Sequence, residues 1–389
     1  MPSMTEVRVN RKAARRFASG HPWIFKSDIV DAGEAEAGAV VKVIDLAGRA
    51  LGTAHYSAAS QIALRLLSRE VQEIGREFFA QRLAAAEAHR RRVVSGSEAY
   101  RLVHGEGDLL PGLVVDRYAD YLVMQTLDQG MDAARASIVD VLVEMFSPRG
   151  IIARNDAAVR AREALPLESG LVHGHVPDTV EFRMNGLRLQ ADLLHGQKTG
   201  AFLDQRENYL AAARHAQGKA LDCFTSSGGF ALHLAPVCES VEALDSSGAA
   251  LSTAGRNAAL NGVSNIEFRE VDVFVVLAAY ASARRQFQTV ILDPPAFAKS
   301  RSTLEGAIRG YKEINLRALR LLGPGGILVT CSCSHHLSEA AFLELVAEAS
   351  LDAGRQLRVL ERRTQASDHP ILLTVPETHY LKCLILEVL

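Results

Sequence analysis

Beyond His195 the sequence alternates between short strand-like runs and helical stretches, and this pattern restricts the fold more than any other feature. Strands are expected at Ala220 to Asp222, Ser240 to Asp245, Ile266 to Glu270, Thr289 to Asp293, Gly326 to Cys331 and Tyr380 to Val388. Between them fall helical segments such as Leu251 to Asn261 and Ile314 to Leu322. Repeated strand–helix–strand order implies an α/β fold, a mainly parallel sheet with helices on both faces. Ligands of open sheets bind at the carboxyl ends of the strands, so the residues leaving each strand are the ones to read.

The first half has a different texture. Residues 1 to about 70 read as a small β-rich unit, with strands at Ala39 to Asp45, Ala50 to Tyr56 and Gln61 to Leu67. Glu77 to Val94 has the Ala, Leu, Glu and Arg content of a linking helix. From Tyr100 an α+β unit is expected, with strands at Leu113 to Tyr118, Tyr121 to Gln125 and Gly150 to Arg154, and a helix from Ala133 to Phe146. Asn185-Gly186 marks a hairpin between Val180–Met184 and Leu187–Gln190. The division that follows is 1–70, 71–190 and 191–389.

Composition narrows the setting. The 389 residues carry a formal net charge of -2, which argues against wholesale coating of a nucleic acid but leaves room for local patches. Arg8, Arg11, Lys12, Arg15, Arg16 and Lys26 face only Glu6 in the N-terminal stretch, and Arg90-Arg91-Arg92 forms a second basic knot. A solvated surface accounts for either patch equally well. No apolar run is long enough to span a bilayer, and no secretory leader is visible at the N-terminus, so no membrane association is expected. Five cysteines without a disulfide pattern suggest the reducing cytoplasm.

Each strand exit in the second half carries a candidate. After the first comes Asp222-Cys223-Phe224-Thr225-Ser226-Ser227-Gly228-Gly229, a tight loop of small residues that lacks the GxGxxG dinucleotide fingerprint. After the second stands Asp245, placed to accept hydrogen bonds from a ribose diol; a helix N-cap from Asp245 or Ser246 is the plain alternative. After the third, Asp272 sits among Val271, Val273 and Phe274, where it could hold an adenine amino group against an apolar wall. After the fourth comes Asp293-Pro294-Pro295, whose prolines fix an extended backbone and remove two donors. A strand-ending turn explains the prolines but not the acid before them. The fifth exit is Cys331-Ser332-Cys333-Ser334-His335-His336. A thiolate there would be a nucleophile towards C6 of a pyrimidine. Burial suits Cys331, inside the strand, better than Cys333 at its end. A metal site is not expected, since no separated second ligand pair accompanies this one.

These residues resemble class I S-adenosylmethionine-dependent methyltransferases, and the whole chain is similar to the RlmI-like family of 23S ribosomal RNA cytosine-C5 methyltransferases. Gly20-His21-Pro22-Trp23-Ile24-Phe25 resembles the family's N-terminal PUA domain, an RNA-binding barrel. Gly105 to Leu113 resembles its central domain, and Gly196-Gln197-Lys198-Thr199-Gly200-Ala201-Phe202-Leu203-Asp204-Gln205-Arg206 the segment entering the catalytic domain. The resemblance implies that Lys198, Thr199, Phe202, Asp204 and Arg206 surround the methionine end of S-adenosylmethionine. Asp222, Ser227 and Gly228 then form the loop beneath it, Asp245 holds the ribose and Asp272 the adenine. Asp293 and Pro294 meet the target base, and Cys333 is the nucleophile. Another RNA family places a second cysteine directly after the proline of its Asp-Pro motif, where this chain has Pro295.

The expected reaction is methylation of carbon 5 of a cytosine in RNA, in 23S RNA or a ribosomal particle, through a Cys333–C6 adduct. His335, Lys299 or water are the candidates for removing the C5 proton. Two rivals are a methyltransferase acting on a guanine or adenine nitrogen, and a non-catalytic RNA-binding or assembly factor. A homodimer is left open.

Overall fold

The computed structural model describes residues 4–196, 199–298 and 303–389. The chain forms two compact units and passes between them repeatedly. Met1–Arg183, Ala191–Gly200 and Ser367–Thr378 make the first; Met184–Gln190, Ala201–Ala366 and His379–Leu389 make the second.

The first unit begins with a six-stranded sheet of β1 (Glu6–Val9), β2 (Trp23–Phe25), β3 (Ile29–Asp31), β4 (Val40–Ile44), β5 (Ala50–Tyr56) and β6 (Ile62–Ser68), in the order β2-β6-β5-β4-β1-β3. Helix α1 (Arg11–Ala18) is capped by Asn10, whose side chain accepts from the Ala13 amide at 2.9 Å. It buries Ala13 and Phe17 at helical spacing against Val7, Val9 and Ile24, while Arg11, Lys12 and Arg15 face outward. Helix α2 (Arg76–Val93) leads to a second sheet of β7 (Ala99–His104), β8 (Leu113–Tyr118), β9 (Tyr121–Thr126), β10 (Gly150–Asn155) and β11 (Glu168–Gly174), ordered β11-β10-β9-β8-β7. Helices α3 (Gln129–Ala133) and α4 (Arg135–Phe146) connect β9 to β10, and α2 and α4 share one apolar core with the sheet. The strand pair β12 (Val180–Met184) and β13 (Leu187–Ala191) turns at Asn185 and Gly186, whose φ values of 54° and 83° are the pair of left-handed residues a tight hairpin requires.

The second unit holds α5 (Arg206–His215), β14 (Lys219–Cys223), α6 (Gly229–Leu234), β15 (Ser240–Asp245), α7 (Gly248–Leu260), β16 (Ile266–Glu270), α8 (Val273–Ser282) and β17 (Phe287–Leu292). It continues with α9 (Leu304–Arg320), β18 (Leu322–Ser332), α10 (Glu339–Asp352), β19 (Leu357–Arg363) and β20 (Lys382–Val388). These strands form one seven-stranded sheet ordered β16-β15-β14-β17-β18-β20-β19. The five from β16 to β18 run parallel, and β20 inserts antiparallel between β18 and β19. Its central strands are largely buried and contribute Leu221, Leu244, Val290, Leu292 and Leu328 to one apolar core, as a sheet covered on both faces demands. Strand order reverses between β14 and β17, so the crevice at this switch point lies between the exits of Cys223 and Leu292. Among the described residues no helix is long and apolar enough to cross a membrane.

Candidate active site

The loop leaving β14 is held in a strained shape. Phe224 (φ 65°) and Ser226 (φ 49°) adopt left-handed backbone although neither is glycine, and Gly228 follows at φ 86°. Each such non-glycine residue costs about 1–2 kcal/mol, so its surroundings must impose it. Asp222 does part of this: its Oδ2 accepts from the Thr225 hydroxyl at 2.6 Å and from the Ala231 amide at 2.9 Å. Asp245, at the end of β15, does the rest by accepting the Ser226 amide at 2.8 Å. Gly228 caps α6, and a Cβ on it would meet Ala254 at 3.1 Å in a backbone region that disfavours side chains. The other carboxylate oxygen of Asp222 is buried and has no partner. Burial above all, with the nearby Asp293 charge, pushes Asp222 up to about 7. An orphaned acceptor beneath a tight glycine loop fits a ligand bringing an ammonium or hydroxyl donor, which the methionine end of S-adenosylmethionine supplies.

Asp245 stays half-buried, its Oδ1 accepting the Ser247 amide at 2.9 Å. The helix cap weighed as the alternative role of Asp245 or Ser246 is made instead by Ser247, whose hydroxyl accepts from the Ala250 amide. That corrects the register of the cap by one or two residues. Asp272 is exposed and caps α8 through Oδ1, which accepts from the Phe274 amide at 2.8 Å. Beside it runs a row of rings: Phe224 to Phe274 at 6.3 Å, Phe274 to Phe297 at 5.8 Å, and Phe297 to Tyr311 at 4.6 Å between centroids. The apolar wall anticipated near Asp272 is therefore aromatic.

Across the switch point, the Asp293 amide approaches the Cys223 carbonyl at 3.4 Å. The Asp293 carboxylate accepts from Gln205 Nε2 at 2.9 Å. Gln205 in turn accepts from Asn208 at 2.7 Å, and Asn208 from Arg363 at 2.8 Å. Gln205 and Asn208 are buried, so this relay fixes the acid with little freedom.

Cys333 lies just past the end of β18, half-buried, with its sulfur 3.9 Å from the Pro294 carbonyl. The next residue tightens this approach: Ser334 accepts the Ala298 amide at 3.2 Å and lies 3.0 Å from the Tyr311 hydroxyl. Cys331, two residues earlier, faces Cys383 across the β18–β20 ladder and is sealed from solvent, and burial holds its thiol well above the usual range. Cys223, Cys238 and Cys383 are buried as well.

Asp222, Asp245, Asp293, Pro294 and Cys333 thus converge at the strand exits of the second unit. Ser227 lies in the same loop, its carbonyl accepting from Asn257. Asp204 is buried and accepts from the Tyr380 hydroxyl at 2.9 Å; Arg206, also buried, receives Asn185 on its carbonyl, and the Phe202 carbonyl receives the Tyr209 hydroxyl. Thr199 belongs to the first unit, where its buried hydroxyl donates to Asp116. Lys198 and Lys299 lie outside the described residues. His335 is exposed, its ring tilted on Tyr380 at 5.4 Å. Gln205 and Asn208 were not singled out from sequence. Gln205 sits in the motif entering this unit, but an amide between an acid and an arginine gives no signal without the fold.

Residues 7–69 match a PUA-like domain and residues 159–385 an S-adenosylmethionine-dependent methyltransferase. A ribosomal RNA large subunit methyltransferase I of Shewanella amazonensis is 43% identical over 393 residues, covering 98% of this chain and 99% of the relative. That of Tolumonas auensis is 40% identical over 393 residues with the same coverage. Among solved structures, SMU.776, described as a methyltransferase complexed with SAH, superposes with a TM-score of 0.86 at 19% identity, covering 99% of this chain and 100% of that one.

Proposed function

This chain belongs to the family of S-adenosylmethionine-dependent large-subunit ribosomal RNA methyltransferases, and from that membership we propose that it methylates carbon 5 of a cytosine through a covalent Cys333–C6 bond. The observation that carries the reading is the approach of the Cys333 sulfur to the Pro294 carbonyl at 3.9 Å, directly beside Asp293. That proximity supports a reading in which a nucleophile and a hydrogen-bonding carboxylate act on one target ring.

Cytosine C5 is too weakly nucleophilic to take a methyl group unaided. The Cys333 thiolate adds to C6, forming the S–C6 bond and moving the C5–C6 π electrons onto C5. Asp293, held by Gln205, accepts from the N4 amino group and keeps the ring in register. S-adenosylmethionine, when bound, supplies an electrophilic methyl group to C5. A base then takes the C5 proton, its electrons restore the C5–C6 double bond, and Cys333 departs as thiolate. His335, Lys299 and water are the candidates for that base. Lys198, Thr199, Phe202, Asp204, Arg206, Asp222, Ser227, Gly228, Asp245 and Asp272 are proposed to hold the cofactor. The orphaned Asp222 oxygen supports the ammonium contact in particular.

The target is proposed to be a cytosine of 23S RNA, free or in a ribosomal particle, in a loop where it can be unstacked. Residues 1–70 act as the RNA-binding domain, 71–190 as linker and central domain and 191–389 as the catalytic domain, in the cytoplasm. A nitrogen methyltransferase would need an aromatic platform for its base. Phe297, the nearest aromatic, is already packed between Phe274 and Tyr311. Cys333→Ala should abolish methyl transfer while S-adenosylhomocysteine still binds, and RNA containing 5-fluorocytosine should trap the wild-type enzyme covalently. Turnover by Cys333→Ala would end this reading. Mapping methylated cytosines in 23S RNA with and without the protein identifies the site.

A further inference from the structure

Lys382 is a buried charge that the chemistry above leaves unused. It opens β20 and pairs with Ser332 across the antiparallel β18–β20 ladder, at the strand exit that carries Cys333. The residue is 3% exposed, and its ammonium donates to the carbonyls of Ser334 at 2.7 Å and Tyr380 at 2.8 Å. Both partners are neutral. Among the described residues no carboxylate bridges it. A buried ammonium with only neutral partners retains an unbalanced charge, which is costly unless an anion lies close.

Among the described residues, the charges that act on Lys382 are those of ionised Cys333 and then Glu339. Glu339 is already bridged by Arg362 at 2.7 Å. Among the described residues, Tyr311, His335 and Asp293 also lie near Cys333. Burial raises Tyr311, so its phenol stays neutral. His335 is exposed beside Tyr380, and Asp293 precedes the Pro294 carbonyl that the sulfur approaches. Lys382 is thus a buried cation at the strand exit of Cys333, placed to balance a thiolate there.

We propose that Lys382 is the positioning residue for Cys333: its buried ammonium supplies the counter-charge that keeps the thiol ionised, and its bond to the Ser334 carbonyl fixes the loop carrying the sulfur. This rests on the reading of Cys333 as nucleophile. Burial lowers Lys382 to about 8, while the Cys333 thiolate pulls it back up, so each group favours the charged form of the other.

The test is alkylation of the full-length protein by iodoacetamide as a function of pH, read by mass spectrometry at Cys333. The other four cysteines are buried, which directs the reagent to this one. In Lys382→Met and Lys382→Gln the inflection should rise by about one pH unit, with roughly tenfold less labelling at pH 7. Binding of S-adenosylhomocysteine certifies the fold. Glutamine keeps a donor for the Ser334 carbonyl, so a shift shared by both variants belongs to the charge. A merely structural role would change the labelling rate at high pH and leave the inflection alone; an unmoved inflection in Lys382→Gln overturns the proposal. Should neither variant fold, the reciprocal measurement replaces them. In Cys333→Ala, 13C NMR of the lysine side chains should show Lys382 titrating lower than in the wild type, and an unchanged titration again overturns it. Methyl transfer by Cys333→Ala would remove the nucleophile while leaving these titrations intact, so the two failures are distinguishable.

Discussion

A carboxylate sealed from water with one oxygen unpartnered, as Asp222 is, favours its neutral form, and its value of about 7 states that preference. The unfolded chain releases the same proton near pH 3.9. A raised value in the folded state means that the fold binds this proton more tightly than the unfolded chain does. The associated stability is fully present below about pH 4 and is lost as pH rises through 7. Between pH 5 and pH 8 the wild type should lose about 2–3 kcal/mol relative to Asp222→Asn, read from urea midpoints at the two pH values. A difference between the two proteins that does not change with pH would mean that Asp222 ionises as readily folded as unfolded. S-adenosylhomocysteine, whose ammonium favours the carboxylate, should reduce the loss. From sequence, Asp222 was legible as a strand-exit acid because its position alone marks it. Its missing partner was not, since that depends on Thr225 and Ala231 both committing to the same oxygen.

Among the elements, the parallel strands were legible because short strand-like segments alternate with helical ones, and β17 and β18 are in addition largely apolar runs of the kind a buried strand requires. The strand β19 was not legible. Its sequence, LRVLERR, alternates charge at a partly exposed edge and resembles a helix surface as much as a strand. Yet β19 ends on Arg363, which anchors the relay through Asn208 and Gln205 to Asp293. Replacing Gln205 by Ala removes a buried donor to a charged acceptor, an interaction worth about 1.5–3 kcal/mol. Steady-state methyl transfer should therefore fall roughly 10- to 100-fold in kcat, with the KM for S-adenosylmethionine little changed. Gln205→Glu should do worse, since it sets a second carboxylate against Asp293. Equal kcat in Gln205→Ala and wild type would reduce the relay to a packing feature.

For the molecule as a whole, the net charge of -2 hides where RNA can bind. Four of the six basic residues that stood out near the N-terminus fall on one helix: α1 buries Ala13 and Phe17 and turns Arg11, Lys12 and Arg15 outward. The patch was visible in the sequence. That it forms a single face was not, because neither the helix nor its Asn10 cap was read. The interleaving of the two units was equally hidden: Ser367–Thr378 returns to the first unit with no shift in composition to announce it. RNA held by phosphate contacts releases counterions, and log affinity then falls with log salt by about 0.7–0.9 per contact. If α1 contributes three such contacts, converting Arg11, Lys12 and Arg15 to Gln should flatten that slope by about 2–3 in binding measurements across salt concentrations. The substitutions lie on an exposed face, and the buried Asp28 that Lys12 reaches at 3.6 Å keeps Arg16 and Asn10 as partners, so S-adenosylhomocysteine binding and thermal stability should hold. A slope equal to that of the wild type would move the RNA contact to another surface. A slope lowered together with stability would instead make α1 a structural element of its sheet, because a solvated basic face adds nothing to the core that Ala13 and Phe17 already supply.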